Sequence, residues 1–135
     1  MRVTKEKAAE NRERIVAAAS RLFREKGFDG VGLDAIMQRA GLTHGGFYRH
    51  FGSKDELAAE AVSRGLAVAA ARQDAYPSLA DLVAGYLSPA HRDNCGGGCV
   101  VAALGPDIAR QGPAVRRRLT AYIREQFDRL ARRIA

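Results

Sequence analysis

Apolar residues near the start of the chain recur every three or four positions, with glutamate and arginine side chains between them. The pattern extends over residues 4–26, and Gly27 follows it. This spacing places the apolar residues on one face of a helix, and glycine is a typical helix stop. The pattern therefore predicts a long amphipathic helix whose buried face contains Ile15, Ala18, Ala19, Leu22 and Phe23.

Two shorter helices are predicted next, with only a tight turn between them. The first has its apolar positions at Leu33, Ile36, Met37 and Ala40. It ends at Gly41, a residue suited to the left-handed conformation that terminates a helix. Thr43 can cap the second helix, and Leu42 and Phe47 lie where a hydrophobic staple would form around that cap. Two helices joined in this way must cross steeply, which is the arrangement of a helix-turn-helix.

Capping residues indicate the fourth and fifth helices. Ser53 and Glu56 form a capping-box pattern at the start of the fourth helix, which is expected to reach about residue 72. Ser78 opens the fifth helix, which ends at the pair Ser88-Pro89. No strand pattern competes with these helices anywhere in the chain, so the predicted fold class is all-α.

The last third of the chain predicts a loop and two more helices. Residues 91–98 are expected to form the loop, residues 99–110 the sixth helix, and the residues after Gly112 the seventh. The apolar stripe of the seventh helix contains Leu119, Tyr122, Ile123, Phe127, Leu130 and Ile134. No capping or breaking residue follows this stripe, so we expect the seventh helix to be truncated.

The chain has 135 residues, of which 47% are apolar. This is enough for one compact domain or two small helical units, and it excludes a large enzyme. The sequence contains no run of about 18 apolar residues and no apolar signal region at its start. We therefore expect a soluble cytoplasmic protein with no membrane partner.

The net charge of +7 is unevenly distributed along the chain. Residues 1–54 hold 11 basic and 6 acidic side chains, residues 55–109 hold 3 and 7, and residues 110–135 hold 8 and 2. A basic segment attached to an acidic one is typical of a module that binds a polyanion. The alternative is a solvated helix face, which we expect for the arginines of the seventh helix.

The predicted helix-turn-helix carries groups suited to contact with DNA. Gly45 and Gly46 remove side-chain bulk at the start of its second helix, so the backbone there can approach base edges or phosphates closely. Lys54 lies in the first turn of the following helix, where free N–H groups attract a phosphate. A phenol, a guanidinium and an imidazole lie between them, at Tyr48, Arg49 and His50.

Residues 40–57, with the sequence AGLTHGGFYRHFGSKDEL, resemble the signature of the tetracycline-repressor (TetR) family of bacterial transcriptional regulators. The resemblance covers residues 10–62, and residues 78–135 are more loosely similar to the regulatory half of one branch. It implies a homodimeric repressor that binds double-stranded operator DNA and is released by a small-molecule effector. Residues 1–52 would form the helix-turn-helix DNA-binding domain, and residues 53–135 part of an effector-binding and dimerisation domain. We expect no cofactor and no enzyme activity.

The resemblance also implies a role for each polar residue of the helix-turn-helix. The base-facing start of the recognition helix would hold Thr43, His44 and Gly45. Phosphates would be contacted by Tyr48, His50 and Lys54, and Arg49 would contact either a base or a phosphate. The chain departs from the family at Val31 and Gly32, where a Ser/Thr pair is usual, so a hydroxyl cap and a phosphate contact are missing there.

Cys95 and Cys99 flank three glycines, so their thiols could approach disulfide distance. Some members of the similar branch respond to electrophiles or oxidants and carry a cysteine at the position of Cys99, which implies a thiol-responsive regulator as an alternative function. The competing interpretation is a small buried side chain at the start of an apolar helix. A zinc site that includes His91 lacks a fourth ligand. A thiol oxidoreductase is disfavoured because no Cys-x-x-Cys and no βαβ pattern is present.

Four larger side chains in the second half could line an effector cavity or fill the core: Tyr86, His91, Tyr122 and Phe127. With Cys95 and Cys99 they make up the candidate effector site. No cluster of charged or aromatic residues specifies the ligand. A helical adaptor that contacts an acidic protein is the remaining alternative, and it would show no site preference on DNA.

Overall fold

Every regular element in the computed structural model, which describes residues 3–135, is helical. Seven α-helices occupy this range: α1 (Lys5–Lys26), α2 (Leu33–Arg39), α3 (Lys54–Ala75), α4 (Leu79–Tyr86), α5 (Pro89–Asp93), α6 (Val100–Ile108) and α7 (Pro113–Ile134). Two 3₁₀ helices, at His44–Arg49 and Cys95–Gly97, lie between them. The all-α class predicted from the sequence is confirmed.

Capping residues set most of the helix ends that the sequence predicts. Three of the predicted helices begin at a hydroxyl that accepts a backbone N–H three residues later at 3.1 Å: Thr4, Ser53 and Ser78. Gly27 and Gly41 end their helices with positive φ angles of 79° and 72°. Only glycine adopts this conformation at little cost, which is why both positions terminate helices as predicted.

The predicted loop over residues 91–98 is wrong. The chain forms α5 and a 3₁₀ turn there, because Ser88 and Pro89 start a helix as well as ending the one before. The Ser88 hydroxyl accepts the N–H of His91 at 3.1 Å, and Pro89 occupies the first helical turn. Proline is well suited to that position because its missing N–H would have no partner there.

One continuous core joins the two halves of the chain, and α1 lies at its centre. This helix packs against α2, α3, α6 and the 3₁₀ turn Cys95–Gly97. Gly65 on α3 allows the close approach, since a Cβ there would lie 2.7 Å from Val100 Cγ2 and 3.3 Å from Ser20 Oγ. Three helices therefore meet at a position that has no room for a side chain.

Two arginines of α7 bind the C-terminal end of α3. Arg133 donates to the carbonyl oxygens of Gln73 at 2.6 Å and Tyr76 at 3.1 Å. Arg129 pairs with Asp74 at 2.6 Å. Cations are favourable at a helix C-terminus, where carbonyl groups lack helical partners. The expectation that these arginines form only a solvated face is therefore wrong for Arg129 and Arg133.

The apolar stripe of α7 is only partly covered. Val115 and Tyr122 are buried, but Phe127 is 73% exposed and Ile134 is 72% exposed. Together with α4, the end of α7 forms an open apolar surface, here called the α4/α7 surface, lined by Leu79, Leu82, Val83, Tyr86, Leu87, Leu130 and Ile134. No helix within residues 3–135 combines the length and hydropathy that a membrane-spanning segment needs.

Candidate nucleic-acid interface and ligand cavity

The helix-turn-helix is held in place by a buried aromatic pair. Phe47, in the 3₁₀ helix His44–Arg49, is fully buried and stacks on Phe51 with 5.6 Å between ring centroids. Ile36 and Met37 of α2 are also buried in this core. The tight turn after Gly41 therefore fixes one face of the 3₁₀ helix against α2 and turns the other face outwards.

The predicted third helix is present but differs in type and in its cap. It is a 3₁₀ helix, and the Thr43 side chain makes no capping hydrogen bond. Two consecutive glycines explain the tighter winding, because glycine has a low propensity for a regular α-helix. A Cβ added at Gly45 would meet no atom within 4 Å, so packing inside the chain does not require this glycine.

The outer face of the 3₁₀ helix presents most of the predicted DNA-contact residues to solvent. Tyr48 is 65% exposed, and its ring lies edge-on to Phe47 at 5.1 Å. Thr43, Gly45 and Arg49 are exposed as well. A phenol, a hydroxyl and a guanidinium on one rigid surface can donate hydrogen bonds to phosphates or base edges.

Two of the predicted contact residues already have partners within the chain. His44 Nδ1 contacts the carboxylate of Asp34 in the first turn of α2. Lys54 Nζ donates to the carbonyl oxygen of Val31 at 2.7 Å. The neighbouring Gly32 starts α2 without a side-chain cap, as the departure from the family pattern implies. The Lys54 ammonium thus supports the turn before α2.

His50 lies between two arginines at the end of the 3₁₀ helix. Partial burial, together with the positive charges of Arg12 and Arg49, lowers the pKa of His50 from its ordinary value of 6.5. Arg12 is held 4.2 Å above the Phe51 ring and pairs with Glu60 on α3. The sequence did not single out Arg12, which is partly buried on α1 one turn before the buried Ile15.

A cavity of about 290 Å³ lies between the end of α3, α4, α5, the 3₁₀ turn and α7. Four of the six predicted effector residues line it: Tyr86, His91, Cys99 and Tyr122. The rings of Tyr86 and His91 pack together at 4.6 Å. The structure does not place Cys95 or Phe127 in the cavity lining. The assignment of Phe127 fails because the end of α7 turns its ring to solvent.

The cavity also contains residues that the sequence analysis missed. One face at the end of α3 contributes four residues, which are three or four positions apart: Ala69, Arg72, Gln73 and Tyr76. Such a spacing defines a helix face and was readable from the sequence. Asn94 joins them from the segment that was expected to be a loop.

Cys99 caps α6, and both cysteines are free thiols. Its sulfur accepts the N–H of Ala102 at 3.5 Å. A hydrogen bond with Cys99 raises the pKa of Tyr86, and burial raises the pKa of Tyr122. Both phenols are therefore neutral hydrogen-bond donors at physiological pH. No group of three or more metal-binding side chains occurs in the described part of the chain.

Three arginines hold the glycine turn that borders the cavity. We call them the arginine clamp: Arg21, Arg24 and Arg72. Arg24 Nη1 donates to the Gly98 carbonyl at 2.8 Å, and Arg72 Nη1 donates to the Gly97 carbonyl at 3.2 Å. Arg21 Nη2 donates to the side-chain oxygen of the Asn94 amide at 3.2 Å. The clamp connects the cavity wall to α1.

Comparison with known families identifies the N-terminal part of the chain. The family model described as "Bacterial regulatory proteins, tetR family" matches residues 15–61. This segment contains the buried half of α1, the helix-turn-helix and the start of α3. We therefore call residues 15–61 the TetR-family segment, after the model that they match. The TetR-family segment carries the outward-facing 3₁₀ helix described above.

Curated relatives match over the same region. The chain is 46% identical over 55 residues to the HTH-type transcriptional regulator LmrA of Bacillus subtilis (strain 168), which is 40% of this chain and 29% of that protein. It is 41% identical over 59 residues to AcrR of Shigella flexneri, which is 44% of this chain and 27% of that protein. The matched segments thus span less than a third of the length of these relatives.

Solved structures extend the likeness of fold beyond the TetR-family segment. A TetR/AcrR family transcriptional regulator of known structure superposes with a TM-score of 0.71 at 23% identity, covering 92% of this chain and 69% of that one. The reduced form of NemR from E. coli gives a TM-score of 0.66 at 24% identity, covering 84% and 64%. The arrangement of α3 to α7 is therefore a known fold as well.

Proposed function

We propose that this chain is the DNA-binding and partial effector-binding portion of a bacterial transcriptional repressor. The observation that carries the proposal is the 3₁₀ helix, in which buried Phe47 stacks on Phe51 while Tyr48 and Arg49 are exposed. The exposed Thr43 precedes this helix, and all of these residues lie within the segment that matches the TetR family. The basic charge of residues 1–54 favours association with a polyanion.

The residues of this helix take different roles in the proposed complex. Thr43, His44 and Gly45 meet base edges, because they lie at the open tip where Gly45 has free space around it. Tyr48 and His50 contact phosphates on either side, and Arg49 contacts a base or a phosphate. Lys54 binds a phosphate while remaining close to Val31.

Repression in this proposal is steric and requires a homodimer. Two recognition helices must enter successive major grooves about 34 Å apart. The α4/α7 surface supports association with further protein, since contiguous exposed apolar patches mark interaction sites. Measurement of the mass of the protein on DNA tests this step, and one protomer per operator would contradict it.

Release from DNA follows from the arginine clamp. A molecule in the cavity touches Asn94, Gly97 and Gly98, and these residues hydrogen-bond to Arg21, Arg72 and Arg24. Displacement of the turn therefore pulls on α1, which packs against α2 behind the 3₁₀ helix. The effector shifts the population towards an arrangement with the wrong spacing for the operator.

A salt titration and a site selection test DNA binding. We expect affinity for duplex DNA to fall steeply with salt, and one selected site to bind at least about 10³ times more tightly than random duplex. An adaptor for an acidic protein would show no site preference. The thiol-responsive alternative predicts that Cys99→Ser abolishes release from DNA, whereas cavity binding alone predicts that release persists.

A further inference from the structure

The cavity carries positive charge without a balancing carboxylate. Arg72 lines it, and no Asp or Glu is present among the lining residues in the described range 3–135. Asp74, near the end of α3, is not part of the lining. Its carboxylate pairs with Arg129 at 2.6 Å. A ligand with one negative charge would therefore meet a cation and no like charge.

The cavity walls are aromatic. Three phenol rings, of Tyr76, Tyr86 and Tyr122, contribute to the lining, and the His91 ring packs on that of Tyr86 at 4.6 Å. Planar aromatic ligands pack favourably against such rings in stacked or edge-on geometry. The other polar side chains of the lining include the amides of Gln73 and Asn94, which can donate or accept a hydrogen bond, and the hydroxyl of Ser88.

We propose that the cavity binds a small planar aromatic monoanion of the aromatic carboxylate class. The inference rests on the proposed function in one respect, namely that the cavity is the effector site. It names the chemical class of that effector, with Arg72 as the group that recognises the charge and the tyrosines as the walls for the ring.

Arg72 retains the donors that this role needs. A guanidinium has five N–H donors, and the hydrogen bond from Nη1 to the Gly97 carbonyl uses one of them. An arginine fork matches the two oxygens of a carboxylate, which gives a bidentate contact. The phenol of Tyr122 is a neutral donor, because burial raises its pKa. It can add a hydrogen bond to an anion without repelling it, whereas the hydroxyl of Tyr86 is engaged with Cys99.

The size of the cavity limits the ligand. Its volume of about 290 Å³ lies at the lower end of the range of about 300–1,000 Å³ that small-molecule sites occupy. One or two fused rings with a short acidic substituent fit this space. Larger molecules with several extended rings do not fit this space.

Calorimetry with three matched probes tests the inference on the full chain without DNA. The probes are 2-naphthoate, 2-naphthamide and 2-naphthylmethylamine, which share one ring system and carry a negative, a neutral and a positive group. We expect 2-naphthoate to bind at least about tenfold more tightly than the amide and the amine to bind most weakly. Equal affinities, tighter binding of the amine or no binding of any probe would overturn the inference.

Two variants separate charge recognition from general damage to the fold. Arg72→Gln is expected to remove the preference for 2-naphthoate over 2-naphthamide while the amide still binds. Arg124→Gln, which removes an exposed arginine of α7 outside the cavity lining, serves as the control and should retain the preference. If Arg72→Gln keeps the full preference, the assignment of the charge contact is wrong.

The outcomes for the ligand and for DNA binding are independent. Selective binding of 2-naphthoate by a chain that shows no site preference on DNA would support the ligand class and contradict the proposed function. Site-specific DNA binding without any preference for the anion would support the proposed function and contradict the ligand class. Addition of 2-naphthoate to the protein–operator complex then tests whether the two sites are coupled, and lack of release would contradict the role of the cavity as effector site.

Discussion

At the scale of single residues, the proposed DNA contacts differ in how far they also support the fold. Tyr48 is 65% exposed, so its hydroxyl is free to bind a phosphate. Lys54 is partly buried and donates to the carbonyl of Val31, which ties the start of α3 to the turn before α2. Substitutions at these two positions are therefore expected to have different signatures.

Tyr48→Phe removes a hydroxyl from the exposed face and leaves the ring that packs on Phe47. We expect DNA affinity to fall about fivefold for all sequences alike, since one neutral hydrogen bond contributes about 1 kcal/mol. The melting temperature should not change. Thr120→Val, which removes an exposed hydroxyl of α7 outside both the cavity lining and the α4/α7 surface, is the control, and fluorescence anisotropy with labelled duplex measures both. A loss confined to one base position would assign Tyr48 to base readout.

Lys54→Met is expected to weaken both the fold and the complex. Loss of the hydrogen bond from the ammonium to Val31 should lower the free energy of unfolding by about 1 kcal/mol, because the group is only partly buried. Loss of a phosphate contact should reduce the salt dependence of DNA affinity by about one counterion. Urea unfolding and a salt titration measure the two effects. An unchanged salt dependence would show that Lys54 has a structural role only.

His50 links DNA binding to pH. Its pKa lies below the ordinary value of 6.5 in the free protein because of partial burial and the charges of Arg12 and Arg49, so the ring is neutral at pH 7. A phosphate beside it favours the protonated form, so we expect DNA affinity to rise as the pH falls from about 7.5 to 6. His50→Gln should remove this rise, and His91→Gln in the cavity should not. Proton uptake that persists in His50→Gln would contradict the contact.

The same shift in the pKa of His50 predicts the pH dependence of the free fold. The unfolded chain binds a proton at His50 more readily than the folded chain does. The contribution of neutral His50 to stability is therefore present above pH 6.5. It is lost as the pH falls from 6.5 through the lower pKa of the folded state. Thermal unfolding of wild type and His50→Gln over this range measures the difference. A parallel pH profile for both proteins would rule out the contribution.

At the scale of elements, close contact between helices depends on Gly65. A Cβ at this position would lie 2.7 Å from Val100 Cγ2, where a buried valine has little room to move. Gly65→Ala is expected to lower the free energy of unfolding by about 1–2 kcal/mol, although alanine favours the helix itself.

A double-mutant cycle checks this prediction. Val100→Ala removes the methyl groups that the new Cβ would meet, so the double variant should be more stable than the sum of the two single effects implies, by at least about 0.5 kcal/mol. Val68→Ala, at an exposed site on α3, should be additive with Gly65→Ala. Additive effects for Gly65 and Val100 would mean that the helices move apart without cost.

The sequence predicted most of the elements whose ends are set by a local side chain; α5 was missed because Ser88-Pro89 was interpreted only as a helix end. Hydroxyl caps at Thr4, Ser53 and Ser78 and left-handed glycines at Gly27 and Gly41 act within a few residues, so their effect is readable from the sequence. The 3₁₀ winding of His44–Arg49 was not predicted. Gly45 and Gly46 weaken a regular α-helix, but the winding also depends on how Phe47 packs against α2, which is a tertiary contact.

The two candidate sites were predictable to different degrees, because one depends on a local motif and the other on tertiary packing. The exposed face with Tyr48 and Arg49 follows from a local motif, and its roles on DNA remain predictions. The cavity was recovered only in part, because Arg72 and Asn94 come together through the packing of α3 and the 3₁₀ turn. Phe127 was placed wrongly because the apolar stripe of α7 extends beyond the helices that cover it.

At the scale of the whole molecule, the α4/α7 surface leaves large apolar side chains exposed to solvent. Leu87 and Ile134 of this surface are 74% and 72% exposed, and Phe127, elsewhere on α7, is 73% exposed. Exposed apolar groups on this scale favour association or binding of apolar dyes. The molecule is therefore expected to associate through one end while the helix-turn-helix remains free at the other.

Leu87→Ser with Ile134→Ser tests this surface. We expect the double variant to remain monomeric at concentrations where the parent chain self-associates, and to bind less of a fluorescent apolar dye. Analytical ultracentrifugation measures the first effect. Leu42→Ser, a partly buried site in the helix-turn-helix, is the contrasting variant, since it should reduce stability without reducing association. Unchanged association in the double variant would place the contact elsewhere.

The central position of α1 sets a limit on the engineering of hybrid regulators. Ser20 lies against Gly65, and Arg21 and Arg24 hydrogen-bond to the glycine turn. All three residues belong to α1, which is part of the segment that would be exchanged to alter operator preference. A graft with its breakpoint at residue 52 would replace one side of these contacts and leave the other behind. Hybrids should retain sensitivity to their effector only when the incoming helix carries matching side chains at these three positions.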